Sequence, residues 1–365
     1  MSLPFTVTRL STEGPLIHAG MEDRMTADGG SDYININGPS ALALPDWLPA
    51  EARVGGASTK YYLFFAHHKG SFIRLAYASH MRGPWAVHPP GVLDLRDSLF
   101  PTERPPPPPA SAPKTEAELA GSDALRPHIA SPDVVIDEQN RQFVMYFHGL
   151  EGPNEYTSDA RSQVSRVATS WDAVSWSARQ PILPHTYARS FRCPQVFGEE
   201  WFLLAMPGIF YRSRHAAMQP FSMRERDNSR SGLHLDHGKC LFPSTMRHSA
   251  CLVRGDTLYV FWTDVGDAPE RIYVSTIRLS ADWDSWCLEG ERVEVLRPAA
   301  EWEGAGLPPE PSVRGEITRM ANQLRDPCIF TDPADGRVYL LYCGGGEHNI
   351  NLAEVCFEPS TRSML

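Results

Sequence analysis

A four-part pattern recurs five times along the chain and restricts the fold more than any other feature. Each unit opens on a short segment that runs into apolar residues, as in Gly38-Pro39-Ser40-Ala41-Leu42, Ser131-Pro132-Asp133-Val134-Val135, Cys193-Pro194-Gln195-Val196-Phe197 and Asp326-Pro327-Cys328-Ile329-Phe330, with Arg247-His248 opening the fourth unit. This is strand A. A turn rich in Asp, Gly and Glu comes next, then an aromatic and aliphatic run of high strand propensity, strand B: Tyr61 to Phe65, Phe143 to Phe147, Trp201 to Ala205, Leu258 to Trp262 and Val338 to Tyr342. Strand C follows a polar loop, at 72–79, 164–170, 209–213, 271–277 and 349–355, and Trp85, Trp176, Phe221 and Trp286 begin an outer strand D in four units.

Five four-stranded units without helical periodicity between them predict an all-β, five-bladed β-propeller, because closing such sheets into a ring buries both faces of each and leaves no long edge. A β-sandwich is the competing arrangement. The fifth unit ends near Glu358 without a strand D, and Phe5 to Leu10 alternates in strand fashion, so this N-terminal strand is predicted to complete blade five and close the ring. The blades are expected at about 33–95, 128–180, 190–235, 247–298 and 324–358 plus 5–10, in one domain over 1–365. Between the first two lies 101–127, with five consecutive prolines at 105–109, expected as a solvent-exposed insertion without a core of its own. A second loop rich in Pro, Gly and Glu, 299–314, precedes blade five.

Propeller geometry turns sequence position into location. If strand A starts at the axis on one face, the strand A starts and the B-to-C loops share that face. These segments gather Asn37, Asp133, Arg192, Arg247, His248, Arg325 and Asp326 from the starts, and His67, His68, His148, Glu151, Glu270 and Glu347 from the loops, whereas the opposite turns hold ordinary solvated residues. The net charge of −10 disfavours nucleic acid or an anionic membrane as partner, and no apolar run is long enough to span a bilayer, so a small solute and a cytoplasmic location are expected. Seven cysteines without paired spacing read as reduced, mostly buried hydrophobes. The oligomeric state is left open.

At these residues the chain resembles the five-bladed glycoside hydrolases of families 43, 32, 68, 117 and 130. The motifs that carry the resemblance are Arg325-Asp326-Pro327, His128-Ile129-Ala130-Ser131-Pro132-Asp133 and Asp267-Ala268-Pro269-Glu270-Arg271. The resemblance implies a site at the axis and a trio of carboxylates on the inner strands. Gly38, Ser131 and Arg192-Cys193 stand where those carboxylates are expected, and only Asp326 keeps its place.

Hydrolysis needs a proton donor and a base or nucleophile, usually two carboxyl groups roughly 5 to 10 Å apart. The expected catalytic candidates are Asp326, Glu151, Glu347 and Asp133. Asp326 is expected as base or hydroxyl-binding group, held ionised by Arg325, with Glu151 or Glu347 as the acid or His148 in its place. Asn37, His68, His148, Arg192, Arg247, His248, Glu270 and Arg325 are the substrate-binding candidates. Three arginines at equivalent strand starts, Arg192, Arg247 and Arg325, point to an anionic sugar unless carboxylates neutralise them. No cofactor is required, although the five histidines His67, His68, His128, His148 and His248 could hold an axial divalent cation. Trp47, Tyr77 and Tyr211 are candidates for stacking on a sugar ring. A glycosidase acting on a small oligosaccharide is the leading reading. The alternatives are a sugar-binding or regulatory propeller without hydrolysis, and a lyase or isomerase using His, Tyr and Arg on an acidic sugar.

Overall fold

Strand B of every blade is buried along its length instead of alternating, which is what a sheet covered on both faces requires. The computed structural model describes residues 3–25, 33–153, 157–213, 221–224 and 240–358. Within them the sheets are five antiparallel blades. Blade one comprises Asn37–Ala43, Tyr61–Ala66, Phe72–Ala78 and Ala86–Asp94; blade two comprises Ile129–Asp137, Gln142–Leu150, Gln163–Ser170 and Ser177–Leu183. Blade three has Arg189–Phe191, Trp201–Ala205, Ile209–Ser213 and Ser222–Met223; blade four has Met246–Arg254, Thr257–Asp264, Ile272–Arg278 and Val293–Leu296. Blade five joins Arg325–Thr331, Val338–Gly344 and Asn349–Phe357 to the N-terminal strand Phe5–Arg9, which pairs with Asn349–Phe357 from Phe5 opposite Phe357 to Arg9 opposite Ala353.

Five apolar layers fill the spaces between neighbouring blades, and the ring closes because one of them joins the last blade to the first. In that layer Leu63 and Phe65 of blade one meet Phe330, Tyr339 and Leu341 of blade five. Phe5 packs with Tyr259 and Phe261 of blade four, so the closing strand is anchored by hydrophobic burial as well as by its ladder.

Two expectations need correction. Strand A of blade three is Arg189–Phe191, earlier than the Cys193-Pro194 signal, and Pro194–Phe197 is a short helix with proline in its first turn. Segments 214–220 and 225–239, which include the expected end of that blade, lie outside the described residues. The Pro-rich insertion also does more than project into solvent. It carries a helix, Glu116–Leu119, with a capping box from Thr115 and Glu118, and Arg161 of blade two binds both the Glu118 carboxylate and the Pro113 carbonyl.

Candidate active site at the propeller axis

Strand A carries the same defect near its start in every blade. In four blades the pairing with strand B skips one or two residues, between Asn37 and Ser40, Ala130 and Asp133, Arg247 and Ser249, and Arg325 and Cys328. At each skip stands a residue in the left-handed region: Gly38 (φ 61°), Ser131 (φ 50°), His248 (φ 40°) and Asp326 (φ 47°). Blade three does the same without a motif. Met206 N donates to Thr186 O, Arg189 pairs with Leu204, and of the two residues between, Tyr187 stands at φ 56°. Bulges of this kind re-aim a side chain, and non-glycine residues held at positive φ gather at functional sites. Gly38 has a steric reason to be glycine: a Cβ there would lie 2.7 Å from Ser131 Cα, so blade one cannot present a carboxylate at this position.

The inner positions and the B-to-C loops converge as propeller geometry requires. Glu347 is the hub. It accepts from Arg325 Nη1 at 2.9 Å and from Asn35 Nδ2 at 2.6 Å, and lies 3.1 Å from His68 Nδ1. Glu270 faces Arg325 Nε at 3.4 Å and Arg247 Nε at 3.6 Å. His248 Nδ1 is 3.2 Å from Asp326 Oδ1, and Tyr187 Oη lies 3.0 Å from His68 Nε2. The Tyr187 ring lies 4.4 Å from His148 and 4.6 Å from His248 between centroids. All of these residues are buried, and several polar atoms have no hydrogen-bond partner: both amide atoms of Asn37, both ring nitrogens of His148 and the carboxylate oxygens of Glu270 and Asp326. Buried polar atoms are nearly always satisfied, so a cluster left open at one place marks where water or a polar ligand sits.

Electrostatics divides the carboxyl groups. His68, Arg325 and Arg247 hold Glu347 well below the ordinary carboxylate range, against the opposing effect of burial. Burial and the Glu347 charge push Asp326 up to about 6. Arg325 therefore serves Glu347 and Glu270, and the two shifts favour Asp326 over Glu347 as the carrier of a proton. Burial also lowers His148 and His248, which stay neutral imidazoles at ordinary pH.

Other candidates are drawn elsewhere. Asp133 takes hydrogen bonds from Ser190 N and Oγ at 2.8 and 2.7 Å and faces Arg189, which clamps blade two to blade three. Glu151 is bound by Arg166 of its own blade at 2.8 Å. Arg192 lies on the opposite face with the A-to-B turns, paired with Glu199 and stacked on Trp201, because strand A ends there instead of starting. The arginine trio is thus a pair, and Glu270 and Glu347 balance its charge. Trp47 donates to Glu138, Tyr211 contacts His185, and Tyr77 packs in the layer between blades one and two, so none of the three lies at the axis. Among the described residues no three His, Cys, Asp or Glu side chains form a group that could hold a metal ion. Tyr187 and Asn35 escaped the sequence reading; the alternation Ile34-Asn35-Ile36-Asn37 was the signal for Asn35, and Tyr187 had none.

The two insertions meet over this face. Arg247 donates to the carbonyl of Val313 at 2.9 Å and Arg325 to that of Gly315 at 3.1 Å, so the loop before blade five crosses the axial cluster. Arg314 pairs with Glu116 of the Pro-rich insertion at 3.4 Å, and a Cβ on Gly315 would sit 3.1 Å from Ala117.

The fold is that of a five-bladed β-propeller. A candidate glycosidase of Bacteroides thetaiotaomicron superposes with a TM-score of 0.57 at 11% identity over 97% of both chains. The GH43_1 enzyme of Xanthomonas citri, solved with xylotriose, does so with a TM-score of 0.51 at 12% identity over 95% of this chain and 89% of that one. Exo-β-1,3-galactanase of Phanerochaete chrysosporium also aligns, and there this chain spans only 61% of the longer protein. At such identities the likeness is one of fold. No family model matches the chain. The chain belongs to the family of uncharacterized protein R118 of Acanthamoeba polyphaga mimivirus, to which it is 31% identical over 332 residues, 89% of this chain and 85% of that protein.

Proposed function

We propose that this protein is a glycoside hydrolase-like enzyme acting on a small, uncharged oligosaccharide or glycoside at the propeller axis. The observation that carries the reading is Asp326, a buried carboxyl group at a left-handed inner position whose pKa is raised to about 6. Such a group keeps a useful share of its proton near neutral pH and can deliver it to a leaving glycosidic oxygen. Around it the partnerless amide of Asn37 and ring of His148 offer donors and acceptors for sugar hydroxyls. Two arginines balanced by two glutamates favour a neutral ligand over the anionic one that the arginines alone suggested. A cytoplasmic site of action belongs to the same reading, and the free state of every described cysteine is in keeping with it.

The test is a panel of aryl glycosides assayed across pH with the wild type and Asp326→Asn. Turnover that declines as pH rises through about 6 and is lost in the variant supports the reading. Equal turnover by both proteins removes Asp326 from the chemistry. A sugar-binding propeller without hydrolysis is the second reading, favoured by Gly38 and Ser131 at positions where the resemblance expects carboxylates. Under it, sugars raise the melting temperature while no glycosidic bond is cleaved. The lyase or isomerase alternative loses support with the balanced arginine charge.

A further inference from the structure

We propose that Tyr187 is the nucleophile of the axial site, with His68 as its base and Glu347 as the group that orients that base. The proposal rests on the glycosidase reading and names the partner that Asp326 needs.

Tyr187 occupies the inner position of blade three, away from that blade's X-Pro segment, at φ 56°, an uncommon conformation for a bulky residue. The bulge turns its ring toward the axis, where His148 and His248 flank it at 4.4 and 4.6 Å. From its hydroxyl a line of contacts runs outward. Tyr187 Oη lies 3.0 Å from His68 Nε2, His68 Nδ1 lies 3.1 Å from Glu347 Oε2, and Glu347 Oε1 accepts from Arg325 Nη1 at 2.9 Å. A carboxylate on Nδ1 selects the tautomer protonated there, which leaves Nε2 free to accept the phenol proton. Nucleophile, base and orienting carboxylate within hydrogen-bond reach of one another are the arrangement that activates a hydroxyl group for attack. Burial holds the phenol pKa far above neutral, so no standing phenolate forms and the proton must leave for His68 as the bond is made.

The steps balance. Tyr187 Oη attacks the anomeric carbon, its proton passes to His68 Nε2, the bond from that carbon to the leaving oxygen breaks, and Asp326 supplies the proton to that oxygen. Water then attacks the glycosyl-tyrosine. Its proton returns to Asp326, His68 gives its proton back to the departing Tyr187 oxygen, and the sugar is released with its anomeric configuration retained.

The experiment uses the full chain and a panel of carbocyclic sugar epoxides of differing configuration, which trap a nucleophile covalently, with the adduct located by peptide mass mapping. The expected result is an adduct on Tyr187, absent in Tyr187→Phe and formed at least tenfold more slowly in His68→Asn, with the melting temperature of Tyr187→Phe unchanged. Nitrogen-15 spectra of histidine-labelled protein are expected to show His68 protonated on Nδ1, with this preference lost in Glu347→Gln. An adduct on Asp326, Glu270 or Glu347, His68 protonated on Nε2, or aryl glycoside hydrolysis by Tyr187→Phe at the wild-type rate overturns the role of Tyr187 and leaves the glycosidase reading standing. Absence of any adduct, together with no sugar that raises the melting temperature, overturns both.

Discussion

Blades three and five carry nearly the same three residues, Arg192-Cys193-Pro194 and Arg325-Asp326-Pro327, and the propeller uses them at opposite ends of the inner strand. In blade five the arginine and aspartate open strand A at the axis and enter the buried polar cluster. In blade three the strand is already finished, the proline starts a helical turn, and Arg192 pairs with Glu199 on the opposite face. The left-handed axial residue of that blade is Tyr187, which no proline announces. An X-Pro motif therefore does not by itself set the axial position. The bulged pairing of strand A with strand B does, and any residue that tolerates the bulge can stand there.

This contrast gives a graded set of predictions. Asp326→Asn removes the proposed proton donor and is expected to lower kcat by roughly 10²- to 10⁴-fold in the aryl glycoside assay. It also alters the pH dependence of stability. Because the folded-state pKa is raised to about 6 from 3.8, the native state binds the proton more tightly, and this group's contribution to stability is lost as pH rises across that window. Denaturation of the variant at several pH values should lack that loss. Glu347→Ala leaves Arg325 and His68 without their carboxylate, and denaturant titration should show a loss of about 3–5 kcal/mol, the range for breaking a buried ion pair. The depressed pKa of Glu347 adds stability that is present above about 4.5 and lost as pH falls, and the buried neutral imidazoles of His148 and His248 resist protonation below about 6.5, so acid should destabilise the wild type overall.

Blade three should answer differently. Asp133→Ala removes the clamp on Ser190 and is expected to lower stability by about 1–3 kcal/mol, with turnover retained by the fraction that stays folded. Arg192→Ala should stay within about 0.5 kcal/mol and leave kinetics unchanged, since its partner Glu199 is exposed. A large loss of activity in Arg192→Ala with Asp326→Asn unaffected would reverse the comparison.

The blades were legible because each strand B is a dense apolar run and each strand C follows at similar spacing, so burial on two faces leaves its mark directly on residue type. Position in the repeat assigned Arg247, His248, Glu270, Arg325, Asp326, His68 and Glu347 to one face, and contacts between their side chains run through one buried cluster. Partner choice was not legible. Asp326 follows Arg325 in the chain, yet alternation along the strand sends the arginine to Glu347 and Glu270, and the aspartate turns to His248. Gly38 looked like a lost carboxylate and is a close approach of two inner strands. The crossing loop was hidden for a related reason: it meets the Pro-rich insertion through Arg314 and Glu116 and through Gly315 and Ala117, far apart in sequence.

The account depends on the five bulged positions opening onto one polar centre that receives a sugar. A crystal structure of Asp326→Asn grown with a hydrolysis-resistant thio-linked oligosaccharide tests this most directly. The expected result is a sugar ring within hydrogen-bond distance of Asn37, His148 and Tyr187, with segment 313–315 displaced from Arg247 and Arg325. A sugar bound elsewhere on the ring, with the axial cluster filled by the protein's own side chains, would contradict it.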